Sequence, residues 1–137
     1  MNLNKAVKNI AQEEGFSSVV YKCTEGYDTI GHGFAIKDLK LPEEVSSIIL
    51  KYKIYDLFNT MIETLPWFRT LPDGVQIACL DMAYQMGLEG FTKFRNTINY
   101  LRTGDFLSAS KEVLNSKYAK QTKNRAKRVS NVFLAGV

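Results

Sequence analysis

Cysteine is scarce in this chain, with only Cys23 and Cys79 among 137 residues. Two thiols cannot build the multi-bridge framework of small secreted domains. Cys79 lies in the helical run GVQIACLDMAYQM, where a buried free thiol is the default, so no bridge to Cys23 is expected. Proline occurs three times, and no Pro/Gly/Ser-rich linker, internal repeat or low-complexity stretch interrupts the sequence. No apolar run approaches membrane-spanning length, and the start MNLNKAVKNIAQEEG lacks the apolar core of a signal peptide. Neither membrane insertion nor a signal peptide is expected. The single histidine, His32, sits between two glycines, and nothing else offers metal-ligand spacing, so neither a metal nor another cofactor is expected. Acids are missing after Glu112, while Lys117, Lys120, Lys123, Arg125, Lys127 and Arg128 accumulate in a chain of net charge +4. That cationic stretch fits a solvated helix face, attraction to an anionic polymer or membrane surface, or nucleic-acid binding, although no nucleic-acid motif accompanies it.

What is present suits one compact unit: 137 residues with 45% apolar content build a real core without room for two independent ones. Leu3, Val7 and Ile10 recur at helical spacing, and Glu14 continues their stripe. The pattern predicts a first helix with a carboxylate on its core-facing side, solvated Glu13 beside it, and a stop at Gly15. A place at a cleft mouth would suit Glu14 to general acid work. An ion pair with a nearby Lys or Arg would account for the same position.

Residues 19–34 are rich in β-branched and aromatic types, with Glu25-Gly26 as a turn, and read as a β-hairpin or small meander. Whether Cys23 and Thr29 share a face depends on register, which a one-residue slip reverses. The Gly31-His32-Gly33 run reads as turn chemistry. A helix then starts at Leu41-Pro42-Glu43-Glu44, where proline and acids suit a first turn, and its apolar pattern continues to Leu65 with room for a bend near Tyr52. Further helices are predicted over residues 73–86, 94–102, 105–114 and 122–134, with Gly87, Gly90 and Gly104 as stops and Asp105 and Thr122 as N-caps.

In the frame EGFSSVVYKCTEGYDT, Glu14 is followed after eight residues by Cys23 and after five more by Thr29. This segment resembles the catalytic loop of phage-type lysozymes, glycoside hydrolase family 24 of the T-even endolysin kind, whose signature is Glu, then Asp or Cys, then Thr at that spacing. AYQMG and QTKNRAKRVSNVF are similar to two later segments of the same family, in the same order. The stretch from Ala35 to Asp73 is shorter than in T-even-type enzymes, and Phe34 stands where many relatives carry His.

The resemblance implies an α+β, predominantly α, lysozyme-like fold of two lobes, a small β-hairpin lobe and a helical lobe joined by a long helix. As one domain over 1–137, it would comprise an N-terminal helix (1–13), a β lobe with the catalytic cleft (14–42), a connecting helix (43–65) and a helical lobe (66–137). It also implies a muramidase that cleaves peptidoglycan between N-acetylmuramic acid and N-acetylglucosamine, with Glu14 as general acid, Thr29 holding the attacking water and Cys23 as the second catalytic group. Arg125 would pair with the catalytic Glu14. Tyr84 and Gln85 would wall the sugar site, and Glu25, Phe34, Lys117 and Tyr118 are further substrate-side candidates. The implied partner is bacterial peptidoglycan, bound by a monomer without nucleic acid. Such an enzyme would wait in the host cytoplasm until a membrane lesion admits it to the periplasm and wall. A catalytically silent wall-binding protein with the same fold is the alternative.

Overall fold

The computed structural model describes residues 1–137. Its first element is helix α1 (Leu3–Glu14), which Asn2 caps by accepting from the Lys5 amide at 3.1 Å. Gly15, at φ 69°, ends it and donates to Ala11 O at 3.0 Å. The stripe of Leu3, Val7 and Ile10 is helical as expected, but no residue of α1 is buried and Glu14 is exposed, which departs from the core-facing placement. Periodicity defines which side of a helix is apolar and leaves open what covers that side.

Strands β1 (Ser17–Lys22), β2 (Asp28–Gly31) and β3 (Phe34–Ala35) follow as an antiparallel meander in sequence order. Tyr21 pairs with Thr29 and Lys22 with Asp28, while a bulge separates Ser17 from Tyr21. Between β1 and β2 the chain reverses through Cys23-Thr24-Glu25-Gly26. The Gly26 amide donates to Cys23 O at 2.9 Å, and the Cys23 amide donates to Tyr27 O at 3.0 Å. Gly26 takes φ 86°, a conformation that favours glycine.

Helix α2 (Glu43–Thr64) runs as one element of 22 residues, with Glu43 and Glu44 complementing the positive end of its dipole. The chain divides into two compact units, residues 1–46 and 47–137, at the first turn of this helix.

In the second unit α3 (Asp73–Thr92) passes the expected stop at Gly87. That glycine is non-helical, at φ 80° and ψ 155°, so it kinks the element, and helix resumes beyond it to Thr92. Then come α4 (Arg95–Arg102), α5 (Phe106–Leu114), α6 (Lys117–Gln121) and α7 (Lys123–Ala135). Asp105 caps α5 as expected, accepting from the Ser108 amide at 3.1 Å. Thr122 precedes α7 but does not cap it: no amide of the first turn donates to its hydroxyl, which lies back toward α6 and donates to Tyr118 O at 2.9 Å. Phe68, Phe91 and Phe133 are fully buried with Met61, Met82 and Leu101, and Cys79 lies among them as a free thiol. Each buried phenylalanine contributes about 1.5–3 kcal/mol of apolar burial. Helices as short as α4 to α6 depend on such packing rather than on intrinsic propensity. The Ser130 hydroxyl fastens α7 to α5 by donating to Ser110 O at 2.9 Å. No helix is long and apolar enough to cross a membrane.

Candidate active site

A cleft of about 500 Å3 opens in the first unit, and Glu14, Cys23, Glu25 and Thr29 all line it. Each reaches it for a local reason. Glu14 is the last residue of α1, delivered where Gly15 turns the chain away. Cys23 opens the turn after β1. Thr29 lies on β2, opposite Tyr21, so the register left open by the sequence brings Cys23 and Thr29 to the same cavity.

Thr29 is 3% exposed, and its hydroxyl donates to Tyr27 O at 2.9 Å. With its one proton given to that carbonyl, the Thr29 oxygen is left to accept from a second partner. Cys23 is half-buried, and its thiol sits below the usual range. Hydrogen bonds from the Tyr27 and Glu25 backbone amides stabilise the thiolate, and desolvation and the Glu25 charge oppose them. Cys79 is the reverse case, since complete burial alone pushes its thiol far up.

Lys37 and Gly33, neither prominent in the sequence, also line the cleft. The Lys37 ammonium stands 3.8 Å from the centroid of the Tyr27 ring, a cation held over an aromatic face of the cleft lining. Gly33 has φ 74° and packs directly on the Glu14 carboxyl. Lys22 and Asp28 form an exposed ion pair at 2.6 Å just outside. Phe34 does not line the cleft. It lies one residue from Ala35, which does, and strand alternation turns it to the other face, where its ring meets His32 edge-on at 6.3 Å. No group of three His, Cys, Asp or Glu side chains is close enough to hold a metal ion.

The remaining candidates belong to the second unit. Tyr84 and Gln85 are exposed on α3, and Lys117 is exposed at the start of α6. Tyr118, expected on the substrate side, is instead 7% exposed. It packs edge-on against Phe94 and has no hydrogen-bond partner for its buried hydroxyl. Desolvation and the Asp81 charge raise its pKa, against the opposing charges of Arg125 and Arg128.

Arg125 is held by Asp81. Its Nε lies 3.1 and 3.2 Å from the two carboxylate oxygens, one terminal nitrogen makes a further short contact with Oδ1, and the same nitrogen lies 3.4 Å from Asp81 O. Hydrogen bonding to Asp81 raises the Arg125 pKa further. The sequence offered one signal for Asp81: it precedes Gln85 by four positions and therefore shares its helix face.

Among known proteins the chain is similar to the pre-baseplate central spike protein of Enterobacteria phage T4, 29% identical over 155 aligned positions that take in 93% of this chain and 27% of that protein. It is also similar to two Dictyostelium discoideum proteins. Probable T4-type lysozyme 1 is 28% identical, with 90% of each chain covered, and Probable T4-type lysozyme 2 is 29% identical over 78% of this chain and 66% of its own length. This chain thus spans about a quarter of the spike protein. The sequence model of the family described as Phage lysozyme matches residues 11–130, a range that holds every lining residue of the cleft and the Asp81–Arg125 pair, and the chain belongs to that family.

Proposed function

We propose that the chain is a muramidase, hydrolysing the β-1,4 bond between N-acetylmuramic acid and N-acetylglucosamine in peptidoglycan with inversion, and that it serves bacterial lysis. The observation that carries this is the gathering of Glu14, Cys23 and Thr29, the three motif positions, around one cleft from a helix end, a turn and a strand. Membership of the phage lysozyme family supports it, as do the lysozyme names of the two Dictyostelium relatives.

Glu14 is the general acid and gives its proton to the glycosidic oxygen as the bond to the anomeric carbon breaks. Water attacks that carbon from the opposite face, in the manner of inverting glycosidases. Thr29 accepts a hydrogen bond from this water, because its own proton is engaged by Tyr27 O. That contact aims the water's lone pair at the sugar. Cys23, with its thiol shifted toward thiolate, accepts the second water proton as the new C–O bond forms. Glu14 is reprotonated from solvent and the Cys23 thiol releases its proton to solvent, which restores both groups. Tyr84, Gln85, Glu25 and Lys117 are substrate contacts, and Arg125, anchored by Asp81, is a supporting residue. The lysines and arginines from Lys117 to Arg128 add attraction to the anionic wall, an effect that salt weakens.

The test is the release of N-acetylmuramic acid reducing ends from purified peptidoglycan by wild type and by Glu14→Gln. Release by the wild type that is lost in a folded Glu14→Gln variant is expected. No release by folded wild type would favour a wall-binding role, and undiminished release by Glu14→Gln would remove Glu14 from the chemistry.

A further inference from the structure

We propose that Gly33 is a positioning residue for the general acid: its missing side chain is the seat into which the Glu14 carboxyl fits. The proposal rests on Glu14 being the acid. Gly33 lies between β2 and β3 at φ 74°. A Cβ built there would overlap Glu14 Oε2, lie 3.1 Å from its Cδ and 3.5 Å from its Cβ. Any side chain at 33 therefore occupies the space that the carboxyl now fills, and both residues line the cleft.

The neighbouring glycine has a different task. A Cβ on Gly31 would meet the Phe34 ring at 2.9 Å and touch nothing of Glu14, so one short turn contains one glycine that faces an aromatic ring and one that faces the acid. Gly104, at φ 77°, has open space around it and carries the backbone requirement alone.

These contrasts separate stability from chemistry. The group in the way of a residue-33 methyl is the free end of an exposed glutamate, which rotates aside at little structural cost. That rotation carries the proton donor away from the glycosidic oxygen, and a misplacement of about 1 Å costs on the order of a hundredfold in rate. Gly33→Ala and Gly104→Ala should therefore lose similar melting temperature, since both force alanine into a left-handed conformation. Only Gly33→Ala should lose kcat, by about a hundredfold, with KM nearly unchanged.

The experiment compares full-length wild type, Gly33→Ala and Gly104→Ala by melting temperature, by kcat and KM on peptidoglycan, and by the 13C resonance of the Glu14 carboxyl, assigned through its disappearance in Glu14→Gln. A displaced Glu14 resonance with a selective fall in kcat in Gly33→Ala alone supports the seat. An unmoved Glu14 resonance in Gly33→Ala overturns it whatever the activity, as does full activity of that variant. Should Gly33→Ala fail to fold, Gly33→Asn takes its place, because asparagine tolerates left-handed backbone while still projecting a Cβ. If wild type releases no muramic ends, the muramidase assignment fails separately, and the resonance comparison still decides whether Gly33 seats the carboxyl.

Discussion

Removing the Asp81–Arg125 pair offers a quantitative test of the second unit. At about 3 Å, two unit charges attract by roughly 1.4 kcal/mol in bulk water and roughly 5.5 kcal/mol at an effective dielectric constant of 20. The side chains are 33% and 39% exposed, so neither limit applies, and solvent screening draws the value toward the lower one. Fork geometry, with Nε near both carboxylate oxygens, adds charge-assisted hydrogen bonding that a loose surface pair lacks. A double-mutant cycle of Asp81→Ala, Arg125→Ala and the double variant should give a coupling of about 1–1.5 kcal/mol, falling by roughly half in 1 M salt, where the Debye length is about 3 Å. Urea unfolding followed by Trp67 fluorescence is the assay. Trp67 is the only tryptophan and packs on Phe68 and Phe91, so it reports on this unit. A coupling below about 0.3 kcal/mol would refute the fork as a fixed feature, and one above about 3 kcal/mol would mean that the pair is far less screened than its exposure indicates.

Other outcomes concern the thiols and a helix cap. Cys23→Asp should keep substantial wall-lysis activity while Cys23→Ala loses most of it; equal lysis by wild type and Cys23→Ala would exclude Cys23 from the mechanism. Because the Cys23 thiol titrates below its ordinary value, wild-type activity should rise with pH through that lowered value, and in Cys23→Asp the same limb should move into the carboxylate range near pH 4. A thiol reagent should label Cys23 rapidly in the native protein and Cys79 only after unfolding, as measured by mass spectrometry of the two peptides. Asp105→Ala should lower the melting temperature at neutral pH. The folded pKa of Asp105 is depressed by its hydrogen bonds to Ser108, so its contribution is present above the unfolded value of about 3.9 and lost as pH falls through the lower folded value. A melting difference from wild type that persists unchanged at pH 2 would contradict this.

Much of the helical architecture was legible because apolar spacing and end signals are local. The starts at Glu43, Asp73 and Phe106 and the cap at Asp105 follow from residues within a few positions of one another. Helix α6 escaped notice because five residues, of which only Tyr118 and Ala119 are buried, are too few to show a period. Gly87 stops regular helix geometry as a glycine should, but the resumption beyond it depends on Phe91 entering the core, which is tertiary. The family motif pointed to Glu14, Cys23 and Thr29, whereas their common cleft depends on the strand register and a bulge. Asp81 and Arg125 lie 44 positions apart, so no local pattern could join them. The burial of Tyr118 was equally out of reach, because it depends on Phe94, 24 positions earlier, being brought against it.

The hydroxyl of Thr122, turned back toward α6, has a dynamic consequence for α7. The first amides of that helix, those of Lys123, Asn124 and Arg125, find no acceptor in α6 or in a capping side chain, so this end should fray and exchange its hydrogens with solvent first. Asp81 grips the Arg125 side chain in that same uncapped turn. A lateral clamp from α3 thereby ties down a helix end that carries no cap, and loss of Asp81 should let the fraying that begins at Lys123 spread further along α7.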